Sequence, residues 1–120
     1  LYRVVAHWLS DTWGDGRVGL VVGATAAREM EGLRSEFPGP GFLVPGVGAQ
    51  GGDLVTAVRA CDGEWAPGVV AVSRAIAAAS GSEDWASAAA GAAETLRSRM
   101  ADAVLPSIIS ADLRLIHGGS

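Results

Sequence analysis

Three short apolar runs, each followed by a loop and then by a helical pattern, constrain the fold more strongly than any other feature of the sequence. The runs cover residues 18–23, 41–44 and 69–72. Continuous apolar runs of this length are typical of strands that are covered on both faces, as in parallel sheets. Strands that alternate with helices predict right-handed βαβ units, so we expect an α/β fold with a parallel sheet.

Helical patterns separate and flank these strands. They cover residues 1–13, 26–36, 53–60, 74–79 and 82–103. Thr25 can cap the second helix, and Ser82 or Asp84 lies near the start of the last one. The chain is therefore expected to contain three consecutive βα units, preceded by the end of one further helix.

The last residues do not continue this pattern. Pro106 predicts a helix break, and Ile108 with Ile109 indicates a strand or an extended segment. We therefore divide the chain into a region of residues 1–103 and a tail of residues 104–120, whose structure the pattern leaves open.

Three βα units are too few to close a barrel, which needs eight units and usually about 250 residues. This chain has 120 residues. An open parallel sheet of three strands would expose two unpaired edges, which favour aggregation. The sequence thus predicts part of a larger sheet, and a small self-contained α/β domain is the alternative. A first residue other than methionine, Leu1, agrees with a chain that continues upstream.

Composition excludes several classes of function. The net charge of −4 argues against nucleic-acid binding, because no basic excess is available to neutralise phosphates along a duplex. No apolar run is long enough to cross a membrane, and the first residues lack the pattern of a secretory leader. The single cysteine, Cys61, suits a reducing compartment, so we expect a cytoplasmic protein. No cysteine or histidine lies near it at metal-ligand spacing, so no metal site is predicted.

The segment of residues 46–51 (GVGAQG) matches G-x-G-x-x-G between a predicted strand and a predicted helix. This context is typical of a dinucleotide-binding Rossmann fold. The end of the next strand carries Ser73 and Arg74 instead of an acidic residue, and an arginine there suits the 2'-phosphate of NADP. Pro45 and the complete βα unit that precedes the motif argue against this interpretation. An NADP-binding oxidoreductase fragment is therefore kept as the alternative function.

A TIM barrel accounts for more of these residues at once. Phosphate commonly binds at the loops after the last two strands of such a barrel, beside a short extra helix. The last two strands predicted here end in the loop of residues 45–52 (PGVGAQGG) and in Ser73 and Arg74. Backbone amides, the Gln50 amide and the Arg74 guanidinium can all donate hydrogen bonds to a phosphate.

Three segments then resemble one family. Residues 21–25 (VVGAT), 42–53 (FLVPGVGAQGGD) and 72–76 (VSRAI) are similar to the last three strand–loop segments of orotidine 5'-phosphate decarboxylases, in the same order. The resemblance extends over about residues 18–100 and is greatest to the branch of the family found in mycobacteria and related bacteria. It implies the last three βα units of a TIM (β/α)8 barrel, incomplete in this chain, so that residues 1–103 would be the C-terminal part of the decarboxylase domain.

The resemblance also implies roles for individual residues. Gln50 and Arg74 would hold the 5'-phosphate, with the backbone around Ser73 assisting, while Pro45 and Val47 would line the nucleotide pocket. Many relatives have glycine at the position of Ser73, so this chain departs from the family pattern where the backbone would approach the phosphate.

The family converts orotidine 5'-phosphate to UMP and CO2 without a metal or an organic cofactor, and its members are dimers with shared sites. A homodimer and a small-molecule nucleotide ligand are therefore implied. Its catalytic cluster alternates aspartates and lysines, yet all nine basic residues of this chain are arginine. No catalytic residue is thus expected here, and the isolated chain should be inactive. A catalytically inactive remnant is the remaining alternative.

Overall fold

A computed structural model describes residues 1–14, 16–48, 50–64, 66–79 and 84–117, with side chains as far as residue 104. The chain forms two compact units, Leu1–Ala75 and Ile76–Ser120. The division at residues 75 and 76 differs from the predicted division at 103 and 104, which stays a prediction about domains. All predicted site residues belong to the first unit.

The observed elements follow the predicted order of strands and helices. They are α1 (Tyr2–Trp13), β1 (Leu20–Val21), α2 (Ala27–Glu36), β2 (Phe42–Pro45), α3 (Leu54–Ala60), β3 (Val69–Ala71), α4 (Arg74–Ala77) and α5 (Trp85–His117). The strands form a parallel sheet in the order β1-β2-β3. The predicted α/β fold with a parallel sheet is confirmed for the part of the chain that the structure describes.

Among the described residues, one face of this sheet is covered and the other is exposed, so the predicted burial of the strands on both faces is not found within this chain. Leu20, Val22, Phe42 and Val44 are at most 9% exposed and form the covered face. Buried residues of α2 and α3 complete this core, namely Met30, Leu33, Leu54, Ala57 and Ala60. On the opposite face, a row of large side chains is exposed. The strands therefore alternate between buried and exposed positions, although both kinds of position are apolar.

The exposed row is formed by Val21, Leu43 and Val69. The strand register pairs Val21 with Leu43 and Leu43 with Val69, so the three side chains lie side by side across the sheet. Their exposed fractions are 71%, 42% and 61%. A periodicity argument cannot distinguish such a row from a buried one, because it detects only whether a side chain is apolar.

Helix α1 attaches to the end of α2 by polar and aromatic contacts. His7 Nε2 lies 2.6 Å from Glu36 Oε1, and Arg3 Nε lies 3.7 Å from Glu36 Oε2. The His7 ring also meets the Phe37 ring edge-on, with the ring centroids 4.8 Å apart. Ala6 is the buried residue of this helix.

The guanidinium of Arg34, on α2, binds the main chain at four points. Its Nε donates to the Ala60 carbonyl oxygen at 2.8 Å, and its Nη1 donates to those of Phe37 and Pro38 at 3.0 and 2.9 Å. Its Nη2 donates to the Pro40 carbonyl oxygen at 2.9 Å. One side chain thus ties the end of α3 to the loop that leads into β2. No local sequence pattern marks Arg34 for this role.

Arg34 also lies against the core and beside the cysteine. Its Cζ is 3.7 Å from the centroid of the Phe42 ring. Burial lowers the pKa of the Arg34 guanidinium, an effect opposed by Cys61 and two acidic side chains. Burial raises the pKa of the Cys61 thiol, opposed by Arg34, and its Sγ lies 3.8 Å from the Phe42 carbonyl oxygen. A thiol of raised pKa is a poor nucleophile near neutral pH, which fits a packing role for Cys61.

Helix α3 has a side-chain cap at its start. Asp53 is the N-cap residue, and its Oδ1 accepts a hydrogen bond of 2.8 Å from the Thr56 amide. Helix α2 lacks such a cap: Ala26 is its N-cap residue, so the predicted capping by Thr25 is wrong. Thr25 lies two residues before the first helical residue, one position too early for the N-cap.

Replacing Asp53 by alanine is expected to lower the free energy of unfolding by about 1 kcal/mol, the usual cost of losing an N-cap. The Thr56 amide would lose its acceptor at the first turn of α3. Urea unfolding of the 120-residue chain measures this change. Asp53→Asn is the matched control, because its side-chain oxygen can still accept the bond. An equal loss in both variants would contradict a capping role.

The predicted break at Pro106 is wrong. Helix α5 is continuous from Trp85 to His117 and has 33 residues. Proline removes one hydrogen bond from a helix and costs about 3 kcal/mol, which helix-forming neighbours can offset. The flanking segment of residues 95–104 (TLRSRMADAV) is rich in good helix formers. The predicted extended segment around Ile108 and Ile109 therefore has helical backbone instead. Among the described helices, none is long and apolar enough to cross a membrane.

Candidate functional site

Two loops meet at the carboxyl edge of the sheet. Strands β2 and β3 are parallel, and Pro45 at the end of β2 is paired with Ala71 at the end of β3. The loop of residues 46–52 follows β2, and Ser73 with Arg74 follows β3. In open α/β sheets, ligands bind outside the carboxyl ends of the strands. The structure thus brings the two predicted parts of the phosphate site to the same edge.

The loop of residues 46–52 closes on itself through main-chain hydrogen bonds. The Gly52 amide donates to the Gly46 carbonyl oxygen at 3.2 Å, and the Gly48 amide donates to the Gly52 carbonyl oxygen at 3.2 Å. Within it, the Gly51 amide donates to the Gly48 carbonyl oxygen at 2.8 Å. Gly46, Gly48 and Gly51 have φ values of 95°, 75° and 85°, which other residues rarely adopt. The glycines are therefore required by the path of this loop.

Gln50 lies at the exposed tip of the loop and folds back over its beginning. A Cβ added to Gly46 would lie 2.6 Å from Gln50 Oε1, so this side chain occupies the space that the glycine leaves free. The same loop lies near the start of α4, because a Cβ added to Gly48 would lie 3.8 Å from the Ala75 Cβ. Ala75 directly follows Arg74. Gln50 and Arg74 are thus carried by two neighbouring segments.

Ser73 and Arg74 are both exposed. Within the described residues Arg74 forms no ion pair or side-chain hydrogen bond, whereas Arg34 and Arg97 do. An exposed guanidinium without a protein partner can bind an anion through two parallel hydrogen bonds.

The two predicted pocket-lining residues differ in their surroundings. Val47 is only 6% exposed and belongs to the core. It forms an isolated bridge with Gly52, which helps to close the loop. Pro45, the last residue of β2, is partly exposed. Contact of either residue with a nucleotide stays a prediction, and the packing of Val47 leaves it little surface to offer.

The position of α3 argues against a Rossmann fingerprint. In that fingerprint the third glycine provides close packing between the helix and the strand at the start of the helix. Here the third glycine is Gly51, but α3 begins only at Leu54, after the cap residue Asp53. The motif therefore forms a separate closed loop and does not open the helix.

Sequence comparison supplies relatives for most of the chain. It is 42% identical over 104 residues to an orotidine 5'-phosphate decarboxylase of Delftia acidovorans, a match that covers 86% of this chain and 38% of the relative. It is 48% identical over 98 residues to the enzyme of the same name from Variovorax paradoxus, covering 81% of this chain and 36% of the relative. The chain thus spans little more than a third of the length of these curated relatives. No family model matches it.

Structure comparison agrees with these matches. The structure of Leishmania donovani UMP synthase superimposes with a TM-score of 0.61 at 36% sequence identity, covering 83% of this chain and 22% of that chain. These findings confirm the predicted family resemblance and favour it over a dinucleotide-binding oxidoreductase. The assignment to a mycobacterial-type branch and the C-terminal position within the relatives stay predictions.

Proposed function

We propose that this chain, which is related in sequence and structure to part of the orotidine 5'-phosphate decarboxylases, supplies the 5'-phosphate-binding part of such an enzyme. The complete enzyme would convert orotidine 5'-phosphate to UMP and CO2. The proposal rests above all on one observation: the loop that carries Gln50 lies beside Ala75, the residue that follows Arg74, at the carboxyl edge of a parallel sheet.

In this proposal Gln50 and Arg74 contact the phosphate, and the backbone around Ser73 assists. The Gln50 amide donates one hydrogen bond, and the Arg74 guanidinium supplies the positive charge that a phosphate dianion needs. Binding energy from this non-reacting group can be used to orient the reacting ring and so to accelerate the reaction. Pro45 and Val47 would line the nucleotide pocket, with Val47 offering only its small exposed surface.

The finer fold assignment belongs to the same proposal. We infer that β1, β2 and β3 are the last three strands of a (β/α)8 barrel. In such a barrel the inward side chains of all strands pack into a closed interior, and helices cover the outside. The row of Val21, Leu43 and Val69 has the apolar character of such an interior but is exposed here. The opposite face already lies beneath α2 and α3, as the outer face of a barrel does.

Catalysis requires groups that this chain does not contain, because it has no lysine. The protonation of the ring carbon would therefore depend on residues outside this sequence. The proposal extends to a cytoplasmic homodimer with a nucleotide ligand, no metal and no organic cofactor. The family resemblance supports the dimer, the ligand and the lack of cofactors, and the single cysteine, Cys61, agrees with a cytoplasmic location.

Binding of UMP to the 120-residue chain tests the proposed function. We expect UMP to perturb the NMR signals of Gln50, Ser73 and Arg74, while uridine, which lacks the phosphate, should leave them nearly unchanged. NADPH serves as the probe for the oxidoreductase alternative. Equal responses to UMP and uridine, or a response to NADPH alone, would contradict a UMP phosphate site in this chain.

A further inference from the structure

The loops that follow β1 and β2 are packed closely against each other at Gly52 and Ala24. A Cβ added to Gly52 would overlap with the Ala24 Cβ and would lie 2.7 Å from the Gly46 carbonyl oxygen. Any side chain at position 52 would therefore force either Ala24 or the loop of residues 46–52 to move. Gly52 does not have a positive φ, so its backbone conformation does not require glycine. Glycine is needed at this position because a side chain would overlap with Ala24.

Ala24 cannot easily make way. It is 2% exposed, and its amide donates a hydrogen bond of 2.8 Å to the Pro45 carbonyl oxygen. This bond continues the ladder between β1 and β2, in which the Val22 amide donates to the Leu43 carbonyl oxygen at 2.9 Å. Ala24 is thus held by the sheet itself, and the loop is the part that would yield.

A shift of Gly52 would be transmitted to the tip of the loop. The main chain of Gly52 is hydrogen-bonded to both Gly46 and Gly48, and the Gln50 side chain folds over Gly46. At Gly48 the same loop lies near the start of α4, where an added Cβ would be 3.8 Å from the Ala75 Cβ. Movement of this closed loop as a unit would therefore change the distance between Gln50 and Arg74.

We propose that Ala24 and Gly52 are positioning residues, whose contact holds the loop of residues 46–52 at the distance from α4 at which Gln50 and Arg74 act on the same phosphate. This inference rests on the proposed function. Neither residue contacts the phosphate in this scheme. Their contribution is steric. Ala24 supplies it from the segment after β1, which carries no ligand-binding side chain in the site proposed above.

The first test measures geometry without a ligand. In the 120-residue chain, an NMR cross-peak between the Gly48 α-protons and the Ala75 methyl group is expected. Gly52→Ala should weaken or abolish it. Gly91→Ala is the matched control and should leave the cross-peak unchanged, because among the described residues nothing beyond the backbone of its own helix lies within 4 Å of a Cβ at that position.

The second test measures affinity for UMP. Gly52→Ala is expected to raise the Kd for UMP about tenfold, since a displacement near 1 Å can reduce the effectiveness of a site by that much or more. If it acts through Gln50, the same substitution in a Gln50→Ala background should have little further effect. A purely structural weakening would instead lower affinity equally in both backgrounds.

Two further variants keep the inference testable if Gly52→Ala does not fold. Ala24→Gly removes the contact without creating an overlap and should raise the Kd for UMP by a few fold. The double variant Ala24→Gly/Gly52→Ala should fold even if Gly52→Ala does not, and its Kd for UMP should rise less than about tenfold, because the overlap of the two Cβ atoms is relieved.

The outcomes separate this inference from the function on which it rests. If Gln50→Ala weakens UMP binding but Ala24→Gly and a folded Gly52→Ala do not, the positioning role is wrong and the proposed function stands. If neither Gln50→Ala nor Arg74→Ala affects UMP binding, the proposed function fails, and the positioning role for phosphate fails with it. An unchanged cross-peak in Gly52→Ala would overturn the steric argument in either case.

Discussion

Replacing Arg74 by alanine is expected to weaken UMP binding by about 2–3 kcal/mol, or roughly 30- to 150-fold in Kd, because a charge-assisted and bidentate contact with the phosphate would be lost. Arg74 is exposed and has no ion-pair partner among the described residues, so its removal should cost little stability. Isothermal titration of the chain with UMP, combined with urea unfolding of the same variant, measures both effects.

Two variants define how specific this effect is. Arg28→Ala removes another exposed arginine, on α2 and outside the loops at the carboxyl edge, and should leave the Kd unchanged. Arg74→Lys keeps the charge but loses the planar pair of donors, so it should recover only part of the affinity. If Arg28→Ala weakened binding as much as Arg74→Ala, the effect would be one of net charge, and Arg74 would not be a specific ligand.

Replacing Arg34 by alanine is expected to lower the free energy of unfolding by about 3 kcal/mol, since hydrogen bonds from a charged donor contribute about 1.5–3 kcal/mol each but are not additive. The four carbonyl oxygens of Phe37, Pro38, Pro40 and Ala60 would lose this donor together. The contact of the guanidinium with the Phe42 ring would also be lost. Urea unfolding followed by far-UV circular dichroism measures the change.

The shape of the guanidinium should matter here as well as its charge. Arg34→Lys retains the charge but places its donors on one nitrogen, which cannot reach carbonyl groups on several sides, so it should recover less than half of the loss. Arg59→Ala removes an exposed neighbour and should change stability by no more than about 0.5 kcal/mol. Full recovery by lysine would contradict the four-point contact as the source of stability.

The secondary-structure errors have local physical causes. The cap at Thr25 was expected because threonine favours N-caps, but the first turn of α2 begins one position later than a cap at Thr25 requires. Pro106 was expected to end the last helix, although one lost hydrogen bond can be offset by a long helix on both sides. Both expectations used the preference of single residues, which the surrounding segment can override.

Long-range contacts account for the residues that the sequence analysis missed. Arg34 and the carbonyl groups that it binds are separated by up to 26 positions. Gly52 and Ala24 pack against each other only because β1 and β2 are neighbours in the sheet. Hydrophobic periodicity and residue propensities carry no information about contacts between residues so far apart in the sequence. The glycine-rich composition of residues 46–52 was the one signal, and it indicated a tight loop without indicating what the loop would touch.

The sequence by itself determined the order of strands and helices, the two loops that carry Gln50 and Arg74, and the family resemblance, because these depend on local patterning and on motifs of adjacent residues. Only the tertiary structure decided which face of the sheet is covered. Val21, Leu43 and Val69 are as apolar as the buried positions beside them, and apolarity measures the tendency to be buried without specifying a partner. Which residues meet across loops is likewise decided by strand register, and register arises only when the strands have paired.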